Sequence, residues 1–258
     1  MDYLEPMTAA VRAAANIYRS AKNDLHIEVK GEDKNNLVTA YDKQIQDFLY
    51  KELSAVFPGC AFLGEEGGGK IEVPMGLCFI IDPIDGTTNF IRNFEHSAIS
   101  VGLAVDRKMV AGVVYDVDKD NLYAAQRGCG ATLNGRAIHV NDSDLDHSLL
   151  LFGSCPYERE LAHRTFQMVE KAYTRVLEIR RTGSAALDIC YVASGKADLY
   201  FELILRPWDC AAAIVIVEEA GGVICTTENQ PMPIDQIVGV RCGNGKNLAE
   251  FDALVQDL

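Results

Sequence analysis

The stretch that decides the fold runs from Cys78 to Phe90 and reads CFIIDPIDGTTNF. Its apolar start predicts a buried strand that ends at Asp82. Pro83 has no N–H to donate to a sheet, so we expect an immediate turn there. Asp85 follows closely, and its carboxylate can converge with that of Asp82 on one point. If a helix begins at Gly86, the N–H groups of Gly86 and Thr87 face an anion. A complex of Mg²⁺ with a phosphate needs such ligands and such a backbone.

Acidic residues also flank two other apolar segments: one pair follows a predicted strand, and one aspartate precedes a predicted helix. Glu65 and Glu66 follow the apolar run 61–63 after a single glycine, Gly64, and precede three further glycines. Adjacent like charges near other acids are destabilising without a cation. Asp209 precedes an apolar helix, which an aspartate at that place can also cap. Simpler interpretations exist for every site: Asp82 caps a turn, Asp85 is a solvated charge, and the glutamates form an exposed loop.

The remaining sequence predicts two halves that differ in the order of their helices and strands. The first half opens with helical spacing at 7–18 and 45–56, followed by short strands that indicate a largely antiparallel sheet, at 61–63, 78–81, 97–105, 109–115 and 122–125. Asn134-Gly135 predicts a hairpin that closes this half. Strands then alternate with helices: strands at 149–152, 176–179, 199–201, 223–226 and 237–240, helices at 158–173, 184–193, 209–220 and 247–255. We expect one unit, 1–258, with an α+β metal-binding subdomain over about 1–141 and an α/β subdomain over about 142–258 that completes the site.

Composition restricts the class of function. The chain has 258 residues, of which 48% are hydrophobic, and a formal net charge of −13. That charge disfavours nucleic acid and anionic membranes as partners, and an anionic substrate would need bound cations. Eight dispersed cysteines without a C-x-x-C pair predict reduced core residues. No apolar run reaches the roughly 18 residues of a membrane span, and the first residues lack a signal peptide pattern, so we expect a soluble, cytoplasmic protein.

Three segments in this order and spacing resemble the inositol monophosphatase family: GEEG at 64–67, DPIDGTTNF at 82–90 and WDCAAAIVIVEEAGG at 208–222. LVTAYD at 37–42 and RRTGSAA at 180–186 also match, so the resemblance covers nearly the whole chain. It implies the layered αβαβα sandwich that this α+β family shares with fructose-1,6-bisphosphatases. It also implies a Mg²⁺-dependent, lithium-sensitive phosphatase, a homodimer, that acts on a small phosphorylated polyol. Inositol monophosphate is the leading substrate.

The resemblance further implies roles for particular residues, with two to three Mg²⁺ ions in each site. The first ion would be bound by Glu65, Asp82, Thr87 and the backbone carbonyl of Ile84, and the second by Asp82, Asp85 and Asp209. A third, more weakly bound ion would be coordinated by Glu65. Further roles are catalytic for Asp42, Thr87 and Glu65, phosphate-binding for Gly86 and Thr87, and substrate-binding for Asp85, Gly183, Ser184, Ala185 and Glu202. Lys30 lies near the position of a family lysine, but the segment 31–36 is one residue longer than the family pattern.

Alternatives stay open at this point. Arg180, Arg181 and Arg206 leave room for fructose-1,6-bisphosphate, NADP⁺ or 3′-phosphoadenosine 5′-phosphate as substrate, although Glu202 would repel a second phosphate. A non-catalytic binding partner of the transcription machinery is a further possibility, but every expected ligand is present. For His96 we expect a structural or supporting role rather than a catalytic one. The sequence contains neither the G-x-S-x-G motif of acyl hydrolases nor the P-loop lysine of kinases, so these two classes are disfavoured.

Overall fold

The structure is a computed structural model that describes residues 2–21, 27–29, 37–67 and 70–258. Lys30 and the segment 31–36 lie outside these residues. The α-helices, in chain order, are α1 Leu4–Ala21, α2 Ala40–Val56, α3 Thr87–Ile91, α4 Ala162–Tyr173, α5 Ala185–Ala193, α6 Pro207–Glu219 and α7 Gly245–Val255. The strands are β1 Ile27–Val29, β2 Leu37–Thr39, β3 Ala61–Gly64, β4 Leu77–Asp85, β5 Ala98–Val105, β6 Lys108–Asp116, β7 Asn121–Gln126, β8 Ala131–Leu133, β9 Arg136–Ala137, β10 Leu149–Phe152, β11 Glu178–Arg180, β12 Leu199–Leu205, β13 Val223–Thr226 and β14 Val238–Gly243.

The first half forms a seven-stranded sheet in the order β3-β4-β5-β6-β7-β8-β9. Every neighbouring pair is antiparallel except β3 and β4, which run parallel. The hairpin predicted at Asn134-Gly135 is confirmed, and both residues adopt left-handed φ angles of 50° and 76°. Two such residues between paired strands match the right-handed twist of the strands. The predicted antiparallel sheet is therefore confirmed.

The second half forms a five-stranded mixed sheet in the order β11-β10-β12-β14-β13. β10 runs parallel to both β11 and β12, whereas β14 runs antiparallel to β12 and β13. The parallel pairs follow from the helices α4 and α5, which return the chain to the same end of the sheet. The alternation of strands and helices predicted for this half is confirmed, apart from β13 and β14, which follow each other directly.

The two sheets and the helices stack in five layers. α1 and α2 pack on one face of the first sheet, with Phe79 and Ile81 pointing toward them. Cys78 and Ile80 point to the opposite face, where α5 and α6 share one apolar core with the inner face of the second sheet. α4 and α7 cover the outer face of that sheet. The predicted αβαβα sandwich is confirmed, while the subdomain boundary near residue 141 stays a prediction.

Several predicted element boundaries are wrong. β4 does not end at Asp82 but continues through Pro83 to Asp85, with a register irregularity against β5. The proline is tolerated because β3 ends opposite Ile81, so β4 has only one described neighbour there. α4 begins at Ala162 rather than 158, after a 3₁₀ turn at Arg159–Leu161. α6 begins at Pro207, a residue that favours the first helical turn.

α6 is apolar on all sides and is the central helix of the sandwich. Most of its residues are buried between the two sheets, which explains why its apolar residues show no one-sided pattern. No helix in the described part of the chain is long and apolar enough to cross a membrane. The close approach of α6 to the first sheet depends on Gly102 of β5 and Gly112 of β6, where an added Cβ would meet the backbone of Ala211 or Ala212.

Gly112→Ala should lower the free energy of unfolding by about 1–3 kcal/mol, as measured by urea denaturation. The new Cβ would lie 2.0 Å from the carbonyl oxygen of Ala212, so α6 or β6 must move. The matched control is Gly245→Ala at the first residue of α7, where an added Cβ meets no atom. Equal stability of the two variants would contradict the proposed helix–sheet contact.

Candidate active site

A cleft of about 660 Å³ opens where the two sheets and the inner helices meet. Its walls come from the 3₁₀ turn after β3, the end of β4, the start of α3 and the loop after β10. The starts of α5 and α6 and the middle of β12 complete it. The cleft therefore draws on residues from both halves of the chain.

Four predicted carboxylates line this cleft: Glu65, Asp82, Asp85 and Asp209. Burial, followed by the charges of Glu65 and Asp85, raises the pKa of Asp82 well above its usual range. Burial and the charge of Glu65 likewise raise the pKa of Asp209. These shifts show that acids from three distant segments act on one another. The four acids therefore lie in one cleft, and their roles as metal ligands stay a prediction.

Each of the three aspartates is held through one carboxylate oxygen. The Ile84 N–H donates to Asp82 Oδ1 at 3.0 Å. Asp85 Oδ2 accepts from the Ser184 hydroxyl and, at 2.9 Å, from the Ala186 N–H. Asp209 Oδ2 accepts from the Arg206 N–H at 2.7 Å. Within the described residues, the second oxygen of each aspartate accepts no hydrogen bond, which leaves it available to a ligand in the cleft.

The donor set fits a hard divalent cation. Carboxylates with one free oxygen each are the ligands that Mg²⁺ prefers, whereas the described walls offer no thiolate and imidazole set for zinc. No three His, Cys, Asp or Glu side chains among the described residues already stand as close as ligands of one ion do. The carboxylates would therefore have to draw together around a cation, which would also offset their repulsion.

The turn between Asp82 and Thr87 is internally bonded. The Thr87 hydroxyl donates to the Ile84 carbonyl oxygen at 3.2 Å. Gly86 has a left-handed φ of 85° and precedes α3, so the predicted helix start is confirmed. Asp42, in the first turn of α2, is fully buried and does not line the cleft, but its charge contributes to the raised pKa of Asp82. It therefore lies close behind the cluster.

The predicted substrate residues lie in the same cleft. Gly183, Ser184, Ala185 and Glu202 all line it. Glu202 Oε1 accepts from the Cys155 N–H at 3.0 Å, and Oε2 accepts from the Tyr200 hydroxyl at 2.7 Å. Burial raises the pKa of Glu202, and these two hydrogen bonds oppose the shift. The carboxylate is thus fixed in place beside the acidic cluster.

The sequence analysis missed part of the wall. Tyr157 lines the cleft with Arg206 stacked 5.3 Å from its ring centre, and no motif marks that tyrosine. Arg181 and Arg206 lie in the wall, whereas Arg180 does not line it and pairs with Glu178 on the surface. Burial raises the pKa of the Cys155 thiol in the wall to about 12, which disfavours a thiolate nucleophile.

The layered fold is that of the phosphatase class that the motifs resemble. The chain matches the model of the inositol monophosphatase family over residues 2–257. The chain belongs to this family.

The chain is similar both to proteins named as Nus factors and to proteins named as inositol monophosphatases. The chain is 37% identical to the Nus factor SuhB of Xylella fastidiosa, over 88% of this chain and 82% of that protein. It is 36% identical to inositol monophosphatase 1 of Bos taurus, over 97% and 91%. Inositol monophosphatase-II of Staphylococcus aureus, solved with inositol monophosphate bound, is 29% identical with a TM-score of 0.83, over 100% of this chain and 95% of that one. The Staphylococcus protein is also solved with 2′-AMP bound.

The metal-free protein should lose stability as the pH rises. Burial raises the pKa of Asp85 from 3.8 to about 7 in the folded state. A raised carboxyl pKa stabilises the fold fully below the unfolded value, and this contribution is lost as the pH rises through the folded value. The thermal midpoint in EDTA should therefore fall between about pH 4 and pH 8.

Mg²⁺ should recover most of this loss at about pH 8, because its charge offsets the ionised carboxylates. NaCl at matched ionic strength is the control for general screening. Thermal midpoints with the same pH dependence in EDTA and in Mg²⁺ would contradict a cation-binding cluster.

Proposed function

We propose that this protein is a Mg²⁺-dependent phosphomonoesterase that converts myo-inositol 1-phosphate to inositol and phosphate. The observation that carries the proposal is the pairing, in one cleft, of an acidic cluster with the fixed carboxylate of Glu202. The cluster suits a cation-bound phosphate and Glu202 suits the hydroxyls of a polyol. The likeness to bovine inositol monophosphatase 1 supports the same substrate.

The residues that would hold the metal are those of the cluster. Glu65, Asp82, Thr87 and the Ile84 carbonyl would surround one Mg²⁺, and Asp82, Asp85 and Asp209 a second, with a weaker third beside Glu65. When bound, Mg²⁺ supplies a water of lowered pKa and neutralises charge on the phosphate and the leaving oxygen. The free second oxygens of the three aspartates support these assignments.

The chain itself would position the reacting groups. Phosphoryl transfer needs chiefly positioning and charge stabilisation, so no covalent nucleophile is required. The Thr87 hydroxyl would orient the attacking water by accepting its hydrogen bond. Asp42, which lies behind the cluster, would accept a second hydrogen bond from that water once the carboxylates draw together around a cation. The N–H groups of Gly86 and Thr87, at the start of α3, would face the phosphate oxygens. The walls at Gly183, Ser184 and Ala185 would enclose the ring of the substrate.

Glu202 would set the preference among substrates. A carboxylate accepts hydrogen bonds from vicinal hydroxyls, but it repels a second phosphate at the same place. Its position is fixed because the Tyr200 hydroxyl and the Cys155 N–H hold one oxygen each. The proposal also includes lithium sensitivity, a homodimer and a cytoplasmic location, which the resemblance implies.

Asp85→Asn should reduce Mg²⁺-dependent phosphate release by at least about 100-fold, the scale expected when one positioned charge is lost from a reaction centre. The fold should persist, because an amide oxygen can still accept from the Ala186 N–H. The matched control is Asp47→Asn on the exposed face of α2, which should retain activity. Full activity of the Asp85 variant in purified protein would contradict the proposed metal site.

Two other functions have specific support. Arg181 and Arg206 in the wall, with the 2′-AMP-bound Staphylococcus relative, favour a phosphatase for fructose-1,6-bisphosphate, NADP⁺ or 3′-phosphoadenosine 5′-phosphate. The 37% identity to a Nus factor favours a non-catalytic binding partner of the transcription machinery. A biological function that Asp85→Asn leaves intact would be of this second, non-catalytic kind.

A substrate panel separates the phosphatase alternatives. With Mg²⁺, kcat/KM for inositol 1-phosphate should exceed that for fructose-1,6-bisphosphate, NADP⁺ and 3′-phosphoadenosine 5′-phosphate by at least about tenfold, or ~1.4 kcal/mol. Glu202→Gln should narrow this ratio, because it removes the repulsive charge and keeps the shape of the side chain. Activity confined to the bisphosphates and nucleotides would reject inositol monophosphate as the substrate.

A further inference from the structure

A second cavity, of about 430 Å³, lies on the outer side of the second sheet. α4, α7, β12, β14 and the turn after β13 enclose it, and it shares no described lining residue with the cleft. Phe201 of β12 forms part of its wall, whereas the next residue, Glu202, faces the cleft on the other side of the strand. This volume lies in the range of sites for small molecules.

The unusual member of the wall is Arg241. It lies on β14 between Phe201 of β12 and Cys225 of β13, and its side chain is only 7% exposed. Its Nη1 is in ion-pair contact with Asp252 Oδ1 of α7, an oxygen that accepts no hydrogen bond within the described chain. The other oxygen of Asp252 accepts from Asn229 Nδ2 at 3.5 Å. Within the described chain, the buried Nε and Nη2 atoms of Arg241 have no hydrogen-bond acceptor.

Unpartnered donors on a buried cation are energetically costly. An arginine stays charged at any physiological pH, so it cannot lower that cost by releasing a proton. An apolar residue would fill the same space between Met168, Phe201 and Phe251 without the penalty. A guanidinium at this place is accounted for if an acceptor binds beside it. Carboxylates match the side-on geometry of an arginine fork.

We propose that this cavity binds a small monoanionic carboxylate that carries a compact apolar body. Met168 and Phe251 would pack against the body, and Arg241 would turn its Nε and Nη2 atoms toward the carboxylate. The ligand should carry a single negative charge, since Asp252 and Glu228 also line the cavity and would repel a dianion such as a phosphate ester. Arg164 lies at the exposed edge and adds positive charge at the entrance.

Benzoate is a suitable probe, and the neutral benzamide is its matched control. Titration into metal-free wild-type protein with ¹³C-methyl-labelled methionine should shift the Met168 signal saturably. Benzamide should bind at least about tenfold more weakly, because it lacks the charge that the arginine recognises. Inorganic phosphate should not compete with benzoate. Without divalent cations, the outcome is independent of the proposed phosphatase activity.

Variants test the role of the guanidinium itself. Arg241→Lys keeps the charge but loses the fork, so benzoate should bind at least about tenfold more weakly. Arg164→Lys, at the exposed edge, is the control and should change affinity by less than about threefold. Equal binding of benzoate and benzamide would overturn the proposal. The absence of a saturable Met168 shift would also overturn it, because it would mean that water alone satisfies Arg241. Unchanged benzoate affinity in Arg241→Lys would overturn it as well.

Discussion

Mutual repulsion among Glu65, Asp82, Asp85 and Asp209 is the constraint on which this architecture depends. The acids come from three separate segments and line one cleft. Burial raises the pKa values of Asp82, Asp85 and Asp209, and the charge of Glu65 raises those of Asp82 and Asp209 further. Hydrogen bonds from backbone N–H groups and from Ser184 hold one oxygen of each aspartate and offset part of the cost. A bound cation would offset the rest, and it would make an acidic protein able to accept a phosphate ester.

The sandwich supplies the rigid frame that this arrangement requires. α6 carries Asp209 in its first turn, and its burial between both sheets fixes the direction of that carboxylate. β4 delivers Asp82 and Asp85 from the first sheet, and the start of α5 provides the donors that hold Asp85. The second sheet contributes Glu202. Packing of apolar layers therefore determines where the polar groups meet, and a shift of α6 against Gly112 would reach the site directly.

Much of this could be predicted from the sequence, because period-two and helical spacing, the Asn134-Gly135 hairpin and acids at strand ends have local physical causes. The passage of β4 through Pro83 could not, since it depends on where the neighbouring strand ends. Tyr157 and Arg241 were missed for the same reason: their roles arise from distant segments that meet only in the folded chain. Lys30 lies outside the described residues, so its predicted role stays a prediction.

The most direct test of the central claim is a crystal structure of the protein with Mn²⁺, analysed by the anomalous scattering of the metal. The account predicts at least two anomalous peaks in the cleft, with oxygen atoms of Glu65, Asp82, Asp85 and Asp209 at about 2.0–2.3 Å, the range of hard divalent cations. Loss of the peak between Asp82 and Asp209 in Asp85→Asn would locate the second ion. A well-ordered cleft without anomalous density at saturating Mn²⁺ would contradict the account.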